Sequence, residues 1–374
     1  MKRFSALILL CLAAVGMRAQ HGFESLGQAS AYSVVSPWQD KILNTGLRFL
    51  PGLRYHDDRR KFRTDAEASV HLFAHESVFP LDEQPTAGLQ PYRFWVRLAD
   101  STRSLRIGLQ QINFGSATIL RPLMWFDRMN PLDPLSLTEG VWSALGKVYF
   151  KNNANLWLWV NLPSNKLRVW DIFPSSLHFP EAGGRIQWPV TKGEMGVAAN
   201  FRAVEMPDSQ IQLTGHEHAL QYKIGLDGRW DVGPGLWYEC SFTGADRPIG
   251  PHSQLVLLTL GADYNVGLGN GLNLTAEHMW AAMGSGINYI DESAAFSALS
   301  SSYPINFFNQ LRLMAYYDWK HRKPYTFLQY ENSLSKGKLQ IMAWANPENP
   351  VLPGREDMML FGGLGIQIMY IVHF

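Results

Sequence analysis

The chain of 374 residues predicts an all-β fold, an antiparallel transmembrane β-barrel of about fourteen to eighteen strands with long loops at or inside its lumen. Two observations carry this. Leu364, Ile366, Ile368, Tyr370 and Val372 alternate with other residues up to a terminal Phe374, over about ten residues, the length of one tilted membrane-crossing strand. The same period of two recurs from end to end of the chain, and nothing after the N-terminus approaches the twenty or so apolar residues of a membrane helix.

The N-terminus reads as a secretory signal. Lys2 and Arg3 precede an apolar run from Ala6 to Val15, and the small residue Ala19 stands before Gln20. The expected organisation is a cleaved signal over 1–19 and one barrel domain over 20–374. At the other end, a strand finishing on Phe looks like the assembly signal of bacterial outer-membrane barrels. That resemblance assigns Tyr370, Val372 and Phe374 to recognition by the barrel-assembly machinery.

Composition agrees with a wall that is apolar outside and polar inside. Charged residues are 17% and aromatic residues 13%, which leaves many rings for the membrane interfaces. The formal charge is +1, and removing Lys2, Arg3 and Arg18 with the signal leaves 30 basic against 32 acidic residues. That balance argues against a nucleic-acid partner. Cys240 alone survives processing, so no internal disulfide is expected.

Strands are expected near 45–54, 63–73, 91–99, 103–112, 146–152, 155–162, 184–190, 194–204, 218–226, 229–242, 253–264, 271–283, 305–318, 324–332, 338–345 and 364–374. Asp100 to Thr102, Asn152 to Ala154, Asp227-Gly228 and Asn270-Gly271 supply turn chemistry. Longer connections at 113–145, 163–183 and 284–304 carry Pro, Asn and Ser. If short turns and both termini share one side, the parity fails by one strand at each end. A strand near Phe23 to Val35 and another within Ile287 to Ala298 would repair it.

Alternation also sorts side chains between lipid and lumen. Tyr92, Phe94, Val96 and Leu98 fall on the lipid face, which turns Arg93, Trp95 and Arg97 inward. Leu105, Ile107 and Leu109 place Arg106, Gly108 and Gln110 inside. The same reading puts Lys147, Tyr149, Lys151, Gln221, Lys223, Gln310, Arg312, Asp318, Glu239 and Glu331 in the lumen, a set in which cations outnumber anions. Such a lining would favour anionic groups, unless its cations are paired across a filled interior.

The run Leu105 to Leu135 is the most distinctive internal stretch. Arg106, Gly108, Gln110, Ile112, Phe114 and Gly115 lead into a loop marked by Arg121-Pro122, Phe126-Asp127, Asn130-Pro131 and Asp133-Pro134. This resembles the strand and loop of the alginate-export and related porin-like outer-membrane families, with Phe114 where Trp is usual and no Pro directly after Asp127. By that resemblance the loop enters the barrel and narrows it, and Arg106, Arg121, Asp127, Arg128 and Asp133 become constriction residues.

No catalytic constellation is expected. His216-Glu217-His218 lacks a third metal ligand by spacing, and Ser241, His278 and His373 lie on separate strands. The expected role is a channel in the bacterial outer membrane, surrounded by lipid and passing small hydrophilic solutes, anions or saccharides among them. No cofactor or metal is implied. The alternative is a plugged barrel that serves as a structural or accessory subunit of an envelope secretion or assembly complex.

Overall fold

The computed structural model describes residues 22–36, 42–58, 62–79, 85–127, 137–249, 253–286, 289–347 and 361–374. The signal segment, and with it the cleavage site, lies outside the described residues.

Eighteen antiparallel strands follow one another round a closed cylinder among the described residues, each paired with its sequence neighbours. They begin with β1 (Phe23–Ser36), β2 (Ile42–Asp57), β3 (Arg63–Phe79), β4 (Thr86–Ala99) and β5 (Arg103–Gln110). After a long inward loop come β6 (Val141–Tyr149), β7 (Asn155–Asn161), β8 (Glu181–Val190) and β9 (Gly193–Glu205). A short helix α1 (Asp208–Thr214) precedes β10 (His218–Asp231), β11 (Gly235–Ala245), β12 (Gln254–Val266) and β13 (Leu272–Gly286). The circle is completed by β14 (Tyr289–Pro304), β15 (Asn309–Asp318), β16 (Lys323–Leu334), β17 (Gly337–Ala345) and β18 (Leu364–His373). Eight residue pairs, from Gln28 opposite His373 to Val35 opposite Ile366, zip β1 to β18 and leave no edge.

The parity repair is realised, since β1 and β14 are the two strands that the turn argument demands. The stretch 284–304 is therefore mostly strand and not a connection. The start of β1, the end of β18 and most short turns lie at one end, which is periplasmic in this class of barrel, while the longest loops gather at the other.

Alternation holds along the wall. Phe94, Val96 and Leu98 are 58%, 50% and 49% exposed on the outer face, whereas Arg93, on the inner face of the same strand, is 8% exposed. Leu364, Ile366, Ile368 and Tyr370 likewise face outward. Tyr92 departs from the expected pattern. The pairing skips it, because Pro91 opposes Val70 and Arg93 opposes Ser69, so this bulge frees its ring to lie beneath the Arg93 guanidinium.

Asp227-Gly228 is not a turn. Strand β10 runs through it to Asp231, and the reversal falls at Val232–Pro234, where Gly233 takes φ +115. Asp227 is held on the inner wall by the Arg185 guanidinium, a pairing that outweighs the local turn preference of Asp-Gly.

Candidate functional site

At Gln110 the wall strand stops and the chain turns into the lumen. Residues 111–127 have no ladder partner there, so their backbone N–H groups need acceptors from elsewhere. Two carboxylates on the opposite wall supply them. Glu239 on β11 accepts from the N–H groups of Ala117 at 2.9 Å and Leu123 at 2.5 Å. Glu277 on β13 accepts from Thr118 at 2.7 Å, Ile119 at 3.0 Å and Leu120 at 2.5 Å, and also from the Trp237 indole at 3.0 Å. The Thr259 hydroxyl donates to the Leu120 carbonyl, and the Trp125 indole donates to Ser241. The loop is thereby stretched across the barrel and fastened at its far side.

Apolar packing fixes the rest of the loop. Phe114, Leu123, Trp125 and Phe126 pack against Trp159, Val141, Leu145 and Ala198 of the wall. Phe114 meets Trp125 edge-on at 5.4 Å and stacks on Trp159 at 5.5 Å. On the other flank Leu120 joins Val34, Met279, Tyr316, Phe327 and Trp344. The middle of the barrel is thus a packed core and not an open bore.

A second inward segment follows β7. Its Asp171 accepts from the Arg202 guanidinium and the Lys223 ammonium, both at 2.6 Å. Burial alone would raise the Asp171 carboxyl, but the charges of Arg202 and Lys223 outweigh it and hold the group well below the usual carboxylate range. Nearby, Arg168 pairs with Glu181 at 2.7 Å.

Two polar cavities flank the loop along β2 to β7. On the extracellular side of the loop is a cavity of about 540 Å³ lined by Arg48, His71, Gln90, Tyr92, Phe126 and Lys166, among others. On the periplasmic side is a chamber of about 310 Å³ that includes Glu67, Arg93, Trp95, Arg106, Lys147 and Trp157. Arg93 stands between them, since its guanidinium donates to the carbonyl and the hydroxyl of Thr138, a residue of the upper cavity, both at 3.1 Å. Three cations in this region lie over rings: Arg93 over Tyr92 at 4.1 Å, Arg106 over Trp95 at 4.5 Å and Lys147 over Trp157 at 3.2 Å. Among the described residues no carboxylate comes within 4.0 Å of these three.

The structure therefore brings Arg93, Arg106 and Lys147 together and places the other expected residues elsewhere. Arg97 is paired with Asp65 at 2.6 Å. Gln110 is wholly buried, its amide donating to the carbonyls of Arg106 and Ser143. Arg121 bonds Asn113 and the Phe114 carbonyl within the loop. Asp127 receives the Gln111 amide at 3.1 Å, and burial pushes its carboxyl above the usual range against that bond and the charges of Arg121 and Arg93. Lys223 belongs to Asp171, and Arg312 lies on the distant β15. Arg128 and Asp133 lie outside the described residues.

Glu277 and Asp171 are the anchors that sequence reasoning missed. Period two along β13 could have found Glu277, since Ala276 and His278 flank it on the outer face. No group of three metal-binding side chains occurs among the described residues.

No family model matches the chain, and no curated protein matches it in sequence. Solved barrels do match in three dimensions. Pseudomonas aeruginosa OccD3 superposes with a TM-score of 0.56 at 8% identity, over 95% of this chain and 93% of that one. The outer-membrane channel DcaP of Acinetobacter baumannii gives 0.54 at 9% identity, over 96% and 99%. The fold is that of a porin-type outer-membrane barrel. A third match is Wzi of Escherichia coli, described as a carbohydrate-binding β-barrel involved in group 1 capsule assembly, with a TM-score of 0.54 at 12% identity over 99% and 87%. The porin-type architecture accounts for the apolar outer belt, which faces the lipid of the bacterial outer membrane.

Proposed function

We propose that this porin-type barrel is a narrow passive channel for small hydrophilic solutes that carry an anionic group, saccharides among them. The observation that carries the reading is the cluster of Arg93, Arg106 and Lys147, aligned on one wall beside the inward loop with rings as their neighbours. Cations with no carboxylate partner among the described residues lower the electrostatic barrier to an anion, and Trp95 and Trp157 offer flat surfaces to a sugar. Arg93 is the proposed gatepost between the upper cavity and the lower chamber.

The packed loop favours a second reading, a plugged barrel serving an envelope assembly complex, because Phe114, Leu120, Leu123 and Trp125 fill the middle of the barrel. Current across a planar bilayer separates the two. The channel reading expects stepwise current with an anion bias, shifted toward cations when Arg93, Arg106 and Lys147 are all changed to Glu and reduced when all three are changed to Gln. Folded protein that carries no current, or a reversal potential that ignores both triple variants, overturns it.

A further inference from the structure

The chamber on the periplasmic side of the inward loop concentrates cations in a barrel whose charge is nearly balanced overall. Arg93 on β4, Arg106 on β5 and Lys147 on β6 all line its volume of about 310 Å³. The one carboxylate among its described lining residues is Glu67, and Arg54 already donates to that group at 3.2 Å. Arg106 lies over Trp95 and Lys147 over Trp157, and a ring holds a cation in place without cancelling its charge. Like charges crowded against a low-dielectric wall repel one another, so the cluster is stabilised by an anion that it holds.

Acceptors are scarce around the same chamber. Arg106 Nε and Trp157 Nε1 are buried with no hydrogen-bond partner among the described residues. Gln111 and Asn113 of the inward loop complete the lining from above. Asn113 gives its side-chain oxygen to the Arg121 guanidinium, which leaves its NH2 group to donate. Donors therefore come from three wall strands and from the roof. Arg229 elsewhere in the barrel also lies over a ring, Trp237 at 4.9 Å, but there Asp263 stands 2.7 Å away as its counter-charge.

We propose that the chamber is a binding site for one phosphate group, free or at the end of a small ester, set among Arg93, Arg106 and Lys147. A phosphate carries about two negative charges, which suits the surplus of the cluster, and its oxygens accept from several sides at once. A carboxylate carries one charge and accepts in one plane. The volume admits a phosphate with a short organic tail. The inference rests on the cluster that carries the channel reading and names the oxyanion it takes, but it does not require the barrel to conduct.

The test is isothermal titration calorimetry of the full chain in detergent, with inorganic phosphate, glycerol 3-phosphate and succinate in a constant chloride background. Inorganic phosphate should bind at one site per chain, and succinate, a dianion of another shape, at least about tenfold more weakly. Competition by glycerol 3-phosphate assigns the site to the ester as well, and lack of competition to the free ion. Arg106→Gln and Lys147→Gln should each weaken phosphate by about tenfold or more, and Arg106→Lys should lose less than Arg106→Gln. Arg229→Gln should leave binding unchanged, and circular dichroism checks that each variant is a folded barrel. A loss in Arg229→Gln equal to that in Arg106→Gln overturns the proposal, as does succinate binding as tightly as phosphate. A folded barrel that passes an anion-biased current but binds no phosphate overturns it and spares the channel reading. One-site binding by a barrel that passes no current upholds it and removes that reading.

Discussion

The Glu277 carboxylate accepts the backbone N–H of Ile119 at 3.0 Å from across the barrel, and with Glu239 it converts a ladderless segment into a fixed strap. Each buried N–H left without an acceptor costs about 1–3 kcal/mol. Glu277→Ala should therefore release residues 118–120, seen as faster backbone hydrogen exchange there and a larger or noisier unitary conductance. Glu277→Gln keeps one carbonyl oxygen and should fall between the two. Unchanged exchange in Glu277→Ala would show that Glu239, Thr259 and the packing of Leu120 and Trp125 hold the strap without it.

Asp171 gives the second inward segment a defined pH response. Its carboxyl is held below the value it has in the unfolded chain, so its contribution to stability is full above the ordinary carboxylate range and fades as pH falls through that range toward the lower folded value. Acidification below about pH 4 should loosen the segment from β9 and β10, read as hydrogen exchange over residues 168–176. Asp171→Asn should remove this component of the pH dependence. It should also cost about 3–5 kcal/mol at neutral pH, because Arg202 and Lys223 lose their shared counter-charge.

Arg97 and Arg106 are neighbours across β4 and β5, yet they should answer differently to the same substitution. Arg97 is committed to Asp65, whereas Arg106 lies over Trp95 with no carboxylate partner among the described residues. Arg106→Gln should shift the reversal potential toward cations with little change in the urea midpoint. Arg97→Gln should lower the midpoint, since Asp65 is 5% exposed and would lose both of its bonds from the Arg97 guanidinium, and should leave selectivity nearly intact. Equal shifts from both would mean that pairing does not decide which cation a passing ion feels.

Much of the wall was legible because lipid sorts side chains by a period of two, and strands such as β4 and β18 show it with large apolar residues. β1 and β14 were less visible for a physical reason. Their outward positions are small, Gly27, Ala29 and Ala31 in one and Ser293, Ala295 and Ser297 in the other, so the contrast between faces is faint. Paired cations in a filled interior were one reading of the sequence, but the partners were not legible. Lys223 and Asp171 stand 52 residues apart, and only the inward fold of the segment after β7 brings its carboxylate to a wall ammonium. Asp227 misled because a dipeptide preference is local and its partner Arg185 is not.

The last residue closes the seam. The Phe374 N–H donates to the Gly27 carbonyl at 3.1 Å, and its ring stacks on Phe49 at 5.7 Å while covering Gly27, where a Cβ would collide with it. Phe374→Ala should lose the ring contact, worth about 0.5–1.5 kcal/mol beyond burial, but keep the backbone bond. Gly27→Val should be worse than Gly27→Ala, because the added methyls must displace the ring. Urea titration in lipid vesicles reads the stability term. If the terminal Phe also serves recognition by the assembly machinery, Phe374→Ala should lower the folded yield in cells by more than the vesicle measurement accounts for. Equal losses in both settings would leave Phe374 as a seam residue alone.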